Sequence, residues 1–390
     1  MSMRALLVSS KFYPEYSGSG YRAQTTYKRL EKKYGVNFDV ITNSINKCGN
    51  KKYKHKNISI YRISSPLKIS YRSKLFKIFT IFFGFLWDIF FTWRHIKKNI
   101  NKYDFLHTFG NSWSVGFLTW YFSKKNKPII RELCNKMSNP FYPIQFDKRI
   151  EKIFHSKKTL IVAISPMLEK LVMSFGKYNL WSRPNPIGEN FCLEFNKRFF
   201  LRKRFTNFGN KDIVLSCIGN FIPRKNQIFL LDIIHRLPSK FKLLLAGPLK
   251  DENSEYFNKI KRKVEDLKIK DRVEIKIGFV KNFDEFIKLS DVFLFPSIEE
   301  GLGTPILESQ ACGIPVVSSY MSDIVENIII QAKGGFYCKL CEVEWKKKIL
   351  LAVKISKKDL TENAKKIQSI SSSKKIDKIY FDKITNLLSK

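Results

Sequence analysis

The apolar positions of the chain fall into short runs separated by helical periods. Ala5 to Ser9 is a compact apolar run without helical spacing. A turn-rich stretch follows, KFYPEYSGSGYR, then a helical pattern near 23–33 that Gly35 stops, and VNFDVIT forms the next strand. Strand, loop, helix and strand in that order are the mark of a parallel βαβ unit. More strands fit 105–108, 129–131 and 160–164. A second series begins near residue 211, with strands over 213–218, 242–246, 273–277, 292–295 and 316–318. Helical stretches lie among them at 226–237, 253–267, 283–289 and 304–312. Two consecutive series predict two doubly wound α/β domains. The join, RPNPIGENFCLEFNKRFFLRKRFTNFGNK, carries Pro, Gly and many charges and no clear period, which places the boundary near 190–210. The expected organisation is an N-terminal domain over 1–195 and a C-terminal domain over 205–375. Residues 376–390 form a C-terminal helix able to pack back toward the N-terminal domain. No short-period repeat is visible.

Residues 75–93, LFKIFTIFFGFLWDIFFTW, stand apart from this pattern. Their only non-apolar positions are Lys77, Thr80, Gly84, Asp88 and Thr92. Steps of three and four put these five on one narrow stripe of a helix, with Phe, Trp, Ile and Leu around the rest. The apolar length is marginal against the roughly 20 residues a membrane span needs. The strands on either side are predicted to share one sheet, which a span would divide across the bilayer. A buried core helix and an in-plane interfacial helix remain. Eight Lys or Arg residues and a single acid between Lys68 and Lys102, together with the Phe and Trp density, favour the membrane interface.

Composition changes this picture in two ways. At 44% hydrophobic and 14% aromatic, the 390-residue chain can fill two cores and is not disordered. Its formal net charge of +37 favours polyanions: nucleic acid, phosphorylated substrates or an anionic membrane face. The basic residues are spread without a nucleic-acid-reading motif, so no specific nucleic-acid partner is expected. Seven scattered Cys fit a reducing cytoplasm better than a disulfide framework. Cys338 and Cys341 form a lone C-x-x-C without further metal ligands nearby, and are read as incidental. Met1 to Ser10 reads as a first strand rather than a signal peptide.

The chemistry concentrates in EEGLGTPILESQACGIPVVSS, residues 299–319. A strand ends near Phe295-Pro296, and a helix opens near Thr304-Pro305, where a proline costs no hydrogen bond. Gly313 is the left-handed stop and Pro315 lies just beyond. Gly301, Leu302, Gly303 and Thr304 therefore sit at the C-terminal end of a strand and the start of a helix, where open α/β sheets bind ligands. Free amides and the helix dipole there favour an anion, typically phosphate. With Thr304 as N-cap a capping box would need an acid at 307, which is Leu, so Glu308 misses that register by one. Glu300 and Glu308 can instead accept hydrogen bonds from sugar and ribose hydroxyls. Glu299 falls outside this spacing and is treated as a surface charge.

PSIEEGLGTPILESQACGIPVVSS resembles the donor-site signature of family 4 glycosyltransferases, retaining enzymes of the GT-B fold. That fold is α/β, with two Rossmann-like doubly wound domains facing across a cleft. Glu300 and Glu308 match the family's E-x7-E motif. The resemblance implies that Glu300 contacts the donor sugar and serves the reaction centre. It implies that Glu308 binds the ribose, and that amides around Leu302–Thr304 hold the diphosphate. LSCIGNFIPRKNQIFLLDII is similar to the family's strand and G-R-L-x-x-x-K loop. Lys225 then neutralises the leaving diphosphate after Gly219, while Asn220 replaces the usual Arg and Arg224 is its substitute. VEIKIGFVKNFDEFIKLSDVFLFPS resembles the base-binding segment, with Phe279 by the base and Val280 offering backbone groups. KFYPEYSGSGYRAQ stands where the family has its N-terminal glycine loop, so Gly18 and Gly20 would let backbone approach the donor phosphate. A family His near the reaction centre has no clear counterpart in YDFLHTFGNSW: His107 either ends its strand or enters the site, and Phe109 stands two residues on. Arg131 and Glu132 are further acceptor-side candidates. The resemblance covers most of 1–345 and is weakest over about 44–102.

The expected activity is a retaining hexosyl transfer from a nucleotide-diphosphate sugar, such as a UDP- or GDP-sugar, to a hydroxyl of a glycan or lipid-linked acceptor in cell-surface polysaccharide or lipopolysaccharide synthesis. No D-x-D pair sits at a strand end, so no metal and no cofactor are expected. The expected location is cytoplasmic, peripheral on the inner face of an anionic membrane. A nucleotide-sugar epimerase or a non-catalytic scaffold of the same fold is the alternative. The intact acids and Lys225 argue against a scaffold, and a basic nucleic-acid-binding protein ranks below both.

Overall fold

The computed structural model describes the chain except for residues 1–2, 16, 44–48, 56, 68–73, 135–147, 250–253, 279–281, 301 and 323. It divides into two units, Met1–Arg183 with Lys374–Lys390, and Pro184–Ser373.

The first unit is an eight-stranded sheet: β1 (Arg4–Ser9), β2 (Asn37–Asn43), β3 (Lys51–His55), β4 (Ile58–Ile63), β5 (Phe105–Phe109), β6 (Ile129–Leu133), β7 (Thr159–Ala163) and β8 (Leu180–Ser182). The order is β3-β4-β2-β1-β5-β6-β7-β8, parallel throughout except for the antiparallel β3–β4 pair. The central strands β1, β5, β6 and β7 are buried almost end to end, as strands covered by helices on both faces must be. Helix α1 (Gly18–Tyr34) starts at an N-cap, Ser17, whose hydroxyl accepts from the Gly20 N–H. Gly35, at φ 67°, ends it.

The C-terminal helix, Ser373–Leu388, belongs to this first unit. Ile376, Tyr380, Ile384 and Leu387 recur at helical spacing and join the core formed by Ala5, Leu7, Tyr27 and Phe105. Arg29 clamps Asp377 with Nε at 2.7 Å and a second guanidinium nitrogen at 3.0 Å.

Helix α2 (Lys74–Lys97) connects β4 to β5, two strands of one sheet. From Thr80 onward its polar stripe points inward, while Lys77 is exposed. Thr80 and Thr92 are 2% and 0% exposed, and the Thr92 hydroxyl lies 2.9 Å from Ser114 on helix α3 (Trp113–Lys124). Asn43, at the end of β2, donates to Asp88 at 3.1 Å. Desolvation pushes the Asp88 carboxyl up to about 7. The outer face carries Leu75, Ile78, Phe79, Phe82, Leu86 and Phe90 into solvent, Leu75 at 82% and Phe82 at 58% exposure. The helix is therefore neither a core helix nor an ordinary amphipathic one: its apolar side is the outside.

The second unit is a six-stranded parallel sheet of β9 (Ile213–Ile218), β10 (Phe241–Gly247), β11 (Val273–Ile277), β12 (Val292–Phe295), β13 (Val316–Ser319) and β14 (Gly335–Cys338). Its order is β11-β10-β9-β12-β13-β14. The order reverses beside β9, so the C-terminal ends of β9 and β12 frame the switch point where such sheets bind ligands.

The chain crosses between units at Arg183–Pro184, ahead of the boundary predicted near 190–210. The charged stretch is no plain linker, because Arg198 and Arg202 turn inward, while Lys197, Lys203, Arg204 and Lys211 stay exposed. Arg202, on the Arg198–Phe205 helix, is buried and donates to the Leu289 and Asp212 carbonyls at 2.8 and 3.0 Å. Both Arg198 and Arg202 pair with Asp291. Buried and paired guanidinium groups are what the sequence pattern mistakes for solvated ones.

Candidate functional site

The Thr304–Ala311 helix follows β12 through a short loop. Its N-cap is Gly303 rather than Thr304, at φ 76°, ψ 47°. A side chain there would be strained, and its Cβ would stand 3.0 Å from Ile306 Cδ1. No side chain caps the helix, and among the described residues the N–H groups of Leu302, Gly303 and Thr304 have no acceptor. Pro305 lies in the first turn. Three amides and the positive end of a helix thus open on one spot, as an anion requires.

Two cations and an acid stand at the same spot. Pro223–Lys225 forms a single turn after β9, and the Arg224 carbonyl accepts from the Ile298 N–H at 2.9 Å. That link sets the two loops side by side. Lys225 Nζ lies 2.6 Å from Glu300 Oε1, and Arg224 lies 3.1 Å from the same oxygen. Arg224 also holds the Glu299 carbonyl. The Glu299 side chain is exposed, so the residue contributes through its backbone. Lys225 Nζ sits 5.0 Å above the Phe295 ring, and its stem packs at Gly219. Asn220 offers its carbonyl to Gln227 at 2.9 Å. The second cation at Glu300 comes from Arg224, four residues beyond Asn220.

Glu308 is half-buried, one turn into the helix, and its carboxyl accepts no hydrogen bond among the described residues. Desolvation, with Asp284 adding like charge, pushes its carboxyl up to about 8. An acid without a donor beside an anion-binding helix start is poised for hydroxyls brought by a ligand. Thr304 Oγ1 accepts from Asn185 at 2.6 Å, and Asn185 Oδ1 is buried without a partner. Sequence reasoning passed over Asp284, Phe295 and Asn185 as site residues. Asn185 sits in the RPNPIGENF landmark and Phe295 at a strand end, while Asp284 carries no local signal. Phe279, Val280 and Gly301 lie outside the described residues.

The acceptor-side candidates of the first unit behave otherwise. His107 lies within β5, fully buried, with Nδ1 2.8 Å from the Tyr27 hydroxyl. Burial pushes its pKa down to about 3, so the ring is neutral. Glu132, at 1% exposure, accepts from Arg22 at 2.7 Å, from Arg183 at 3.1 Å and from the Tyr380 hydroxyl. Although burial opposes ionisation, Arg183 and Arg22 hold its pKa down at about 2. Arg131 is buried and donates to the Gly110 carbonyl at 2.8 Å and to Asn111 at 2.6 Å. These three residues are engaged with partners inside the unit. Glu132 does border a pocket of about 180 Å³ with Ser10, Ser19, Gly110, Asn111 and Cys134. At Gly20 the N–H is taken by Ser17, and a Cβ there would stand 2.3 Å from the Lys11 carbonyl oxygen. Gly18 is exposed, with open space where a side chain would project.

Two doubly wound units, one with a phosphate-type helix start between paired acids and cations, define a protein of the GT-B class. The full chain superposes on sucrose-phosphate synthase from Thermosynechococcus elongatus with a TM-score of 0.76, at 18% identity and covering 99% of each chain. Residues 199–367, within the second unit, match the family of glycosyl transferases group 1. The chain is 30% identical to the O-antigen biosynthesis glycosyltransferase WclY of Escherichia coli over 142 residues, 36% of the chain and 38% of that protein. It is 24% identical to the UDP-Gal:alpha-D-GlcNAc-diphosphoundecaprenol alpha-1,3-galactosyltransferase of Escherichia coli over 218 residues, 52% of the chain and 54% of that enzyme. The matched segments thus span about half or less of these relatives' length.

Proposed function

We propose that the protein is a retaining glycosyltransferase. It moves a sugar from a nucleoside-diphosphate donor to a hydroxyl of a glycan or lipid-linked acceptor in cell-surface polysaccharide synthesis. The observation that carries this reading is Glu300 paired with Arg224 and Lys225 beside a helix start with unused amides, one turn before a Glu308 without a donor. In the reaction, negative charge grows on the departing diphosphate. Lys225, Arg224 and the amides of Leu302–Thr304 are fixed to meet it, as electrostatic catalysis requires. In this reading Glu300 serves the sugar and Glu308 the ribose hydroxyls. The relative that uses UDP-Gal and a diphosphoundecaprenol acceptor supports a UDP-sugar and a lipid-linked acceptor here.

Two cations in reach of the diphosphate can do the work of a divalent ion. Among the described residues no group of three or more His, Cys, Asp or Glu is placed to hold a metal. The transfer we propose is metal-independent and takes place on the cytoplasmic face of an anionic membrane, which the +37 charge favours. A thermal-shift panel of nucleotide sugars, followed by transfer of the labelled sugar onto membrane extract, tests this. One UDP- or GDP-sugar should stabilise the protein and label a product with the donor's anomeric configuration, unaffected by EDTA. Stabilisation by none of them, with tight salt-sensitive binding of nucleic acid, overturns the reading. Loss of transfer in EDTA restored by Mn²⁺ overturns its metal-free part.

A further inference from the structure

We propose that α2 is the element that docks the protein on an anionic bilayer, lying in the interface plane with its Phe-rich face among the acyl chains. This deepens the membrane-surface part of the function above and rests on it only there.

The orientation of the helix is the first observation. Packing has placed the polar stripe against the protein. Thr92 meets Ser114, Asp88 meets Asn43, and the Trp87 indole donates to Asn50 at 3.1 Å. Ile96 is fully buried, and Trp87 and Phe91 lean on the core formed by Leu6, Val8 and Ile41. The C-terminal half of the helix is thus fixed to the sheet. What remains outside is a continuous row: Leu75, Ile78, Phe79, Phe82, Leu86 and Phe90, each more than two-fifths exposed. A contiguous apolar surface of this kind on a soluble unit marks an interaction site. It cannot be a span, because β4 and β5 on either side of α2 belong to one sheet.

Charge names the occupant. In sequence Lys68 and Arg72 precede the helix, Lys74 opens it, Arg94 and Lys97 lie in its last turn, and Lys98 and Lys102 follow. Arg94, Lys97 and Lys98 are exposed and form no ion pair among the described residues. Lys97 Nζ sits 4.7 Å over the ring of Trp93, which is itself partly exposed. Basic residues at the ends of an apolar helix face, with an aromatic at the border, match an acyl layer rimmed by anionic headgroups. A second copy of this chain fits poorly, since two such faces would bring like charges together.

The test is flotation of the full-length protein with vesicles of phosphatidylcholine alone or with about 30% phosphatidylglycerol, the anionic component the basic rim should select. Wild type should float with the anionic vesicles, less with neutral ones, and less in high salt. Phe82→Glu/Phe90→Glu should lower binding at least about tenfold, and Arg94→Gln/Lys97→Gln should remove the preference for anionic lipid. Phe82→Ser/Phe90→Ser, which adds no charge, should lower binding as well and serves if the first pair fails to fold. Equal flotation of wild type and either Phe pair overturns the proposal, as does wild type that floats with neither vesicle. A concentration-dependent dimer lost in the Phe variants would show that the face joins two copies, and overturns it too. Nucleotide-sugar thermal shifts of the same variants should match wild type. Docking can then fail with donor binding intact, and donor binding with docking intact.

Discussion

Two charged clusters of similar content have opposite fates. Around Glu132, one acid holds two arginines and a tyrosine hydroxyl, with Arg183 and Tyr380 buried and Arg22 half-buried. Around Glu300, one acid holds an arginine and a lysine at a loop surface, next to amides and a second acid without partners. In the first cluster the acid is held by three donors within the unit, and the pairing braces it. The second keeps hydrogen-bonding capacity in reserve, and that reserve marks a place for a ligand. Residue type does not separate them; satisfaction and exposure do.

The comparison breaks most easily at the buried cluster. Glu132→Ala should cost about 3–5 kcal/mol, because it leaves Arg183 and Arg22 without their counter-charge in the interior. Chemical denaturation checks this, and the donor-induced thermal shift of the surviving folded fraction should be unchanged. A small stability loss with abolished transfer would return Glu132 to the chemistry.

The next effect lies at the loop. Lys225→Ala should lower kcat on the order of 10²–10³-fold with little change in melting temperature. Arg224→Ala should cost about tenfold, since its half-exposed charge is screened. Steady-state transfer or donor hydrolysis measures both. Full activity in Arg224→Ala would end its role as the substitute for the cation missing at Asn220.

The smallest effect is a pH dependence at Glu308. Its carboxyl titrates near 8 in the folded chain against an ordinary value of 4.5. Between those values the folded state keeps a proton that the unfolded state has lost, so the stability this group contributes declines as pH rises through that window. Donor affinity should move the other way, tightening toward pH 8 as the carboxylate forms and accepts ribose hydroxyls. Glu308→Gln should flatten both profiles in calorimetric titrations from pH 6 to 8.5, a span chosen around the shifted value. A wild-type affinity that is flat over the same range would detach Glu308 from the ligand.

Much of the second unit is legible in the sequence, because each buried parallel strand is an apolar run bounded by turns. The strands over 213–218, 273–277 and 292–295 fall where the pattern places them. The hairpin of β3 and β4 escaped notice for the opposite reason. β3 is KKYKH, an edge strand with little apolar content, and its turn uses Asn57 at φ 68°. The paired acids and Lys225 were legible because local spacing sets them on one loop and one helix turn. The burial of Glu132 was not, since its partners Arg22, Arg183 and Tyr380 come from distant parts of the chain. The stripe on α2 could be read, but which side faced inward depended on Ser114 and Asn43, which only folding brings beneath it.

The return of Lys374–Lys390 to the first unit also bears on how the molecule is made. During synthesis the second unit emerges entire, and can close its sheet, while the first still lacks Ile376, Tyr380 and Ile384 from its core and Asp377 for Arg29. Domains usually complete themselves in the order they leave the ribosome. Here the earliest segment to appear is the last to be finished, because its core closes only once Ile376, Tyr380, Ile384 and Leu387 have left the ribosome.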